Sequence, residues 1–307
     1  SACSTLKAIK DIRDIVVPEI ATDVADNNVL RFVVLGDTGT GKPGQHEVAK
    51  AVSNHCDNTA CDFILLLGDN LYESGAENTD DIQFQTKFEI PYKDITLPFH
   101  LVLGNHDYGS DGAGLELKKA FYQIAYTNKS SKWKMPHRYY RYTLNQTLFI
   151  GLDTQAQFLG VDKGQRKKVS DWINGSTATW KIAYGHHPYR SNGPHGNAGN
   201  YDGLEKLNIV NGENVKEFAD DVWCGKIDLY LSGHDHSRQW LKPTCDGTQL
   251  MISGAGASVT TLPGNNETYF QKNTKGFIYI VIEAGTLRAD FIDSSGVIEF
   301  SRTIFKP

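Results

Sequence analysis

This sequence predicts an α/β fold of two packed mixed β-sheets with helices on both outer faces, a four-layer αββα sandwich. Three observations carry that prediction. Short apolar runs recur along the chain, and each ends in glycine followed by a residue able to bind metal. Segments with helical spacing lie between these runs, the alternation that builds largely parallel sheets with helices outside. After Thr248 the texture changes to strand-rich sequence.

Residues 1–28 read as an N-terminal segment with a short helical stretch around Leu6–Val16, and residues 29–307 as a single catalytic domain. Phe32–Leu35 is the first buried strand and runs into Gly36-Asp37. The amphipathic stretch Gln45–His55 is a helix. Ile64–Leu67 ends at Gly68-Asp69, and Leu101–Leu103 at Gly104-Asn105-His106. A further helix is expected over Gly114–Ala125. Ile182–Tyr184 leads to Gly185-His186, and Leu229–Leu231 to Ser232-Gly233-His234. Each run is short and apolar, as a buried strand is. Gly276–Glu283, Leu287–Ile292 and Val297–Ile304 read as antiparallel strands completing the second sheet. Ligands of such sheets bind beyond the carboxyl ends of the strands, and here polar residues occupy those ends five times over.

Composition narrows the function. Hydrophobic residues make up 40% of the 307 and charged residues 22%, as in an ordinary globular protein with a sizeable core. The formal net charge of −5 leaves no basic footprint for nucleic acid. No apolar run reaches the roughly 18 residues of a membrane helix. None of the five cysteines forms a C-x-x-C pattern, which argues against sulfur-bound zinc. Cys56 with Cys61 and Cys224 with Cys245 are local pairs. As disulfides they would place the chain in an oxidising compartment: secreted, periplasmic or otherwise extracytoplasmic. The competing reading is five free thiols in a cytosolic protein. Ser1-Ala2-Cys3 resembles the end of a bacterial lipoprotein signal, with Cys3 as the anchor; an arbitrary cleavage boundary is the plainer account. Sequons at Asn128, Asn145, Asn174 and Asn266 matter only in a eukaryotic secretory pathway.

Asp37, Asp69, Asn105, His186, His234 and His236 offer hard or borderline ligands suited to iron, zinc, manganese or magnesium. A carboxylate bridges two metals through its two oxygens, and metals about 3.5–4 Å apart clamp a phosphoryl group and activate a water. Six of the ten histidines (His106, His186, His187, His195, His234 and His236) fall inside or beside the strand-end motifs. A lone histidine is more often structural. Six so placed point to a metal centre.

Five segments carry a resemblance: Gly36-Asp37-Thr38-Gly39, Gly68-Asp69-Asn70-Leu71-Tyr72, Gly104-Asn105-His106-Asp107, Ala183-Tyr184-Gly185-His186 and Gly233-His234-Asp235-His236. In order and spacing they resemble the metallophosphoesterase signature from about Arg31 to the C-terminus, Ser253-Gly254-Ala255-Gly256 included. The chain is most similar to the small single-domain purple acid phosphatases of the tartrate-resistant type. Two positions select that branch. Gly39 stands where many related phosphatases carry histidine, and Tyr72 follows Asp69 by three residues, a phenolate that favours ferric iron. The resemblance implies Fe(III) held by Asp37, Asp69, Tyr72 and His236. It implies a divalent metal (Fe, Zn or Mn) held by Asp69, Asn105, His186 and His234, with Asp69 bridging. It also implies an acid phosphatase that cleaves phosphate monoesters by in-line attack of a metal-bound hydroxide. Those ions bring more positive charge than Asp37, Asp69, the phenolate and a hydroxide cancel, so the centre attracts a phosphate dianion.

His106 and His195 match substrate-side positions of the family. With Asn105 they would hold the phosphate, and either histidine would protonate the leaving group. His187 departs from the mammalian-type pattern, where an aromatic is usual. For His187 and Arg190 a pocket role and a structural one are equally open. Small phosphorylated substrates and a monomeric state are expected. Two further readings stay in play: a phosphodiesterase or nucleotide pyrophosphatase on the same centre, and a scaffold of the same fold without catalysis. Gly36–Lys42 nearly reads as a P-loop, but Pro43 stands where that motif needs Ser or Thr. Asp153 imitates the ligand pattern and is expected to be structural.

Overall fold

The structure, a computed structural model, describes residues 29–204 and 210–306. The helix expected around Leu6–Val16 and the anchor expected at Cys3 lie outside the described residues. The strands of the first half are Val29–Leu35 (β1), Phe63–Leu66 (β2), Phe99–Leu101 (β3), Trp133–Lys134 (β4), Tyr140–Leu144 (β5), Thr147–Gly151 (β6) and Trp180–Tyr184 (β7). Those of the second half are Leu229–Ser232 (β8), Arg238–Cys245 (β9), Thr248–Ser253 (β10), Thr268–Lys272 (β11), Gly276–Glu283 (β12), Thr286–Asp293 (β13) and Ile298–Phe305 (β14).

They form two seven-stranded sheets, in the orders β14-β13-β12-β1-β2-β3-β4 and β11-β9-β10-β8-β7-β6-β5. The first has a parallel half and an antiparallel half, and the second has a parallel centre, β10-β8-β7-β6, with antiparallel pairs at both edges. Side chains alternate between the faces of a strand, and β1 shows the result. Phe32 and Val34 pack between the sheets, while Val33 and Leu35 face the outer layer. Runs buried on both faces lose the apolar–polar alternation, and β1 and β2 accordingly read as unbroken apolar stretches.

Helices Pro43–Thr59 (α1) and Lys119–Tyr126 (α2) cover the outer face of the first sheet through Val48, Val52, Ala120 and Tyr126. The short helix Thr154–Phe158 (α3), with Lys163–Asn174 (α4) and Glu213–Phe218 (α5), covers the second; Val169, Trp172, Val215 and Phe218 supply its apolar contacts. Four layers result. No helix among the described residues is long and apolar enough to cross a membrane.

Two expectations need correction. The C-terminal strands do not complete the second sheet. β12 pairs antiparallel with β1, Val33 opposite Tyr279, so β12–β14 extend the first sheet. The second sheet is built from residues 140–272 instead. The helix expected over Gly114–Ala125 begins only at Lys119, because Gly114 is left-handed (φ +68°) and Glu116 Oε1 accepts the Ser110 N–H at 2.9 Å. Pro43 sits in the first turn of α1, where a missing N–H costs nothing. Asp153 is structural: it caps α3 through the Ala156 N–H, accepts the Tyr108 hydroxyl at 2.6 Å and pairs with buried Arg138. Cys56–Cys61 and Cys224–Cys245 are both disulfides.

Candidate metal centre

The turns after β1, β2, β3, β7 and β8 converge. Asp37, Asp69 and His186 each offer a ligand atom, and those atoms lie within 4.8 Å of one another. Backbone geometry aims them. Asp37 (φ 58°), Asp69 (φ 53°) and His234 (φ 68°) are left-handed, a conformation that costs non-glycine residues free energy and persists where surroundings over-determine it. They are over-determined here. Asp37 N–H donates to the Gly68 carbonyl at 3.0 Å, and the Asp37 carboxylate accepts the His234 N–H at 3.0 and 3.1 Å. Two of the preceding glycines leave room for a carboxylate: a Cβ on Gly104 would collide with Asp69, and one on Gly233 would lie 2.5 Å from Asp37 Oδ2. Gly39 zips the first turn to the second, donating to the Asp69 carbonyl at 3.0 Å and accepting the Tyr72 N–H at 2.9 Å.

The donor chemistry tests whether a cation fits. The partner of His186 Nδ1 at 2.9 Å is the Leu67 carbonyl, which only accepts, so Nδ1 carries its hydrogen. Asn105 Nδ2 donates to the Gly112 carbonyl at 2.8 Å, which turns Oδ1 inward. When His186 is neutral, its bare Nε2 faces Asn105 Oδ1, 2.9 Å away, with His234 Nδ1 at 3.0 Å and Asp69 Oδ2 at 3.5 Å. A cluster of nitrogen and oxygen donor atoms this close suits a metal ion, so these residues fit one.

Asp37, Tyr72 and His236 gather beside them. The Tyr72 hydroxyl lies 3.3 Å from Asp37 Oδ1 and 3.1 Å from His236 Nε2, while His236 Nδ1 meets Ser258 Oγ at 2.8 Å. Without a cation the carboxylates draw protons instead: burial opposes protonation of His186 and His236, but Asp69 and Asp37 outweigh it and raise both. Burial and the surrounding imidazoles of His195, His187 and His186 push His234 well down, leaving it neutral and able to ligate. Burial first, then Asp69 and Asp37, pushes the Tyr72 phenol well above its usual range. Only strong positive charge would make it a phenolate.

His106, which opens a single 3-10 turn, and His195, on a loop, both reach this cluster. His106 donates its backbone N–H to Asp69 Oδ1 at 3.0 Å, and its Nδ1 is 2.6 Å from the Glu73 carbonyl. The His195 ring stacks on that of His234, centroids 4.0 Å apart and planes 24° apart. His187 is buried, meets Thr154 Oγ1 at 2.9 Å and stacks on Phe158, with its ring centroid 4.8 Å from that of His234. Arg190 lies over the ring of its neighbour Tyr189.

Sequence reasoning quoted Asp107 and Asp235 inside the motifs and gave them no work. Asp107 is fully buried and accepts from Gly104 N, Asn70 N, Leu71 N and Gln123 Nε2 at 2.8–3.0 Å, tying the second turn to the third. Burial and the Asp69 carboxylate push it up to about 6. Asp235 Oδ1 accepts the His195 N–H at 3.1 Å. Thr154 Oγ1 accepts both the His186 and the His187 N–H groups, and no motif marks it.

Residues 30–238 match the model of the calcineurin-like phosphoesterase family. The chain is 28% identical to tartrate-resistant acid phosphatase type 5 of Sus scrofa, over 90% of this chain and 86% of that protein. Among solved structures it is similar to GAP50, described as the anchor in the inner membrane complex of Plasmodium (TM-score 0.69, 21% identity, 90% of this chain and 89% of that one). It is also similar to the purple acid phosphatase PPD1 from yellow lupin seeds (TM-score 0.67, 19% identity, 90% of this chain and 54% of that one).

Proposed function

The chain belongs to the calcineurin-like phosphoesterase family, and from that premise we propose that it is an acid phosphatase of the purple type, hydrolysing phosphate monoesters at an Fe(III)–M(II) centre. Asp37, Asp69, Tyr72 and His236 hold the ferric ion. Asp69, Asn105, His186 and His234 hold the divalent one, which is Fe, Zn or Mn. When bound, the metals supply a deprotonated water for in-line attack and neutralise phosphoryl charge. Asn105 and His106 hold the phosphate, and His195 gives a proton to the leaving oxygen.

The observation that carries this reading is the Tyr72 hydroxyl, seated between Asp37 Oδ1 and His236 Nε2. An anionic oxygen ligand in such a set favours a trivalent over a divalent ion. Metal analysis combined with turnover of p-nitrophenyl phosphate and its bis ester at acid pH tests it. Iron with a second metal, a visible charge-transfer band lost in Tyr72→Phe, and preference for the monoester are expected. Faster cleavage of the bis ester, or a band that survives Tyr72→Phe, would overturn the corresponding part. We also propose export from the cytosol, supported by the two disulfides.

A further inference from the structure

We propose that Asp202 is a positioning residue for His195, an inference that rests on the phosphatase reading above. His195 stands on a loop with its side chain 35% exposed, and no strand or helix holds it. Its N–H is fixed on Asp235 Oδ1, and its ring lies against His234. Stacking fixes the plane of an imidazole. It does not decide which ring nitrogen faces which way. Asp202 makes that decision, because its Oδ1 lies 3.0 Å from Nδ1. It touches His195 a second time, since its backbone N–H donates to the His195 carbonyl at 3.0 Å.

Asp202 is itself held for this task. Its backbone is left-handed (φ 54°), a conformation that aspartate tolerates better than most residues. The preceding Tyr201 is buried, donates its N–H to the Asn211 carbonyl at 2.9 Å and gives its hydroxyl to the Pro188 carbonyl. Gly212 packs against the Tyr201 ring so closely that a Cβ there would collide with it. The carboxylate is therefore presented from a rigid base. An exposed pair of this kind adds little stability, so stability does not account for a left-handed aspartate bonded twice to one histidine. Orientation does. A carboxylate only accepts, so Nδ1 keeps its hydrogen. On the imidazolium, Nε2 is then the nitrogen that meets a substrate and gives its proton to the leaving oxygen as the P–O bond breaks, and the ring is left as the neutral Nδ1–H tautomer. His106 is tied differently: its Nδ1 meets the Glu73 main-chain carbonyl at 2.6 Å, and the Glu73 carboxylate stands off at 3.9 Å.

The experiment compares Asp202→Ala, Asp202→Asn and His195→Ala on p-nitrophenyl phosphate and on glycerol 2-phosphate, and reads the His195 tautomer by ¹⁵N NMR in the zinc-loaded protein. Asp202→Ala should lower kcat on glycerol 2-phosphate by about 10–100-fold, the scale of losing an orienting partner. KM should hold and the nitrophenyl ester should suffer far less, because its leaving group needs little proton help. Asp202→Asn keeps an accepting oxygen and should recover most of the loss. The Nδ1–H tautomer should dominate in the parent and in Asp202→Asn and lose its dominance in Asp202→Ala. An unchanged tautomer in Asp202→Ala, or equal losses on the two esters, would overturn the proposal. If His195→Ala itself fails to separate the esters, the proton-donor reading of His195 falls, and the tautomer still decides whether Asp202 positions the ring.

Discussion

Asp37, Asp69 and His186 are buried and take their positions from main-chain groups of neighbouring turns, whereas His106, at the start of a 3-10 turn, and His195, on a loop, have side chains 22% and 35% exposed. The first group is over-determined. Moving Asp37 means breaking its bonds to Gly68 and His234 together. In the second group the main chain is anchored, but each ring is oriented by one hydrogen bond, that of Nδ1 to the Glu73 carbonyl or to Asp202. Substitutions in the two groups should therefore fail differently: one loses the metals, and the other loses rate while the metals stay.

The hardest test of that contrast is Asp69→Asn, which removes charge at the ligand proposed to serve both metals. Activity should fall on the order of 10⁴-fold, with metal content reduced. Asn105→Ala, which removes a neutral ligand from one side, should cost less. Equal small losses with full metal occupancy would break the contrast. His195→Ala should keep its metals and lose about 10²-fold or more on alkyl phosphates, against a much smaller loss on p-nitrophenyl phosphate. Parallel loss on both esters would leave His195 a binding residue only.

Histidines outside the site sharpen the comparison through pH. His100 is buried in β3 and stacked on Tyr142; burial, then Lys134, pushes it down to about 3. The unfolded chain binds a proton there below about pH 6.5 while the folded chain does not. Stability therefore rises with pH between about 3 and 6.5 and is lost on acidification, by roughly 2 kcal/mol at pH 5. Chemical denaturation from pH 7 to 5 should show that slope, and His100→Phe should flatten it. The smallest effect expected separates the disulfides. Cys224–Cys245 closes 21 residues and Cys56–Cys61 closes 5, so the longer loop should stabilise by about 1 kcal/mol more in the serine variants.

What could be read in the sequence divides along the same line. A ligand turn is local: an apolar run, a glycine and a polar residue occupy a few positions, so all five were legible. Pairing of strands is not local. Gly276–Glu283 carries the right pattern for a strand, yet nothing within it says that its partner is β1 rather than a strand of the second sheet. Asp202 was invisible because its role depends on a loop closing back upon His195 seven residues earlier, and acidic residues in polar loops are common. The buried Arg138, paired with Asp153 and with Asp162 at 2.7 Å, was equally hidden, since a charge reads as surface until its partners are known.

The pairing of β1 with β12 also sets a timetable. Asp37 sits at the end of β1, and that strand is flanked by β2 on one side and by a strand some 240 residues later on the other. During synthesis the emerging chain has the ligand turns of β1, β2, β3, β7 and β8 long before Gly276–Glu283 leaves the ribosome. The sheet that carries Asp37, Asp69 and Asn105 cannot close in that interval, and contacts so distant in sequence form slowly. Metal capture then belongs to the finished polypeptide. A chain halted before Gly276 should bind neither metal, although it contains every ligand.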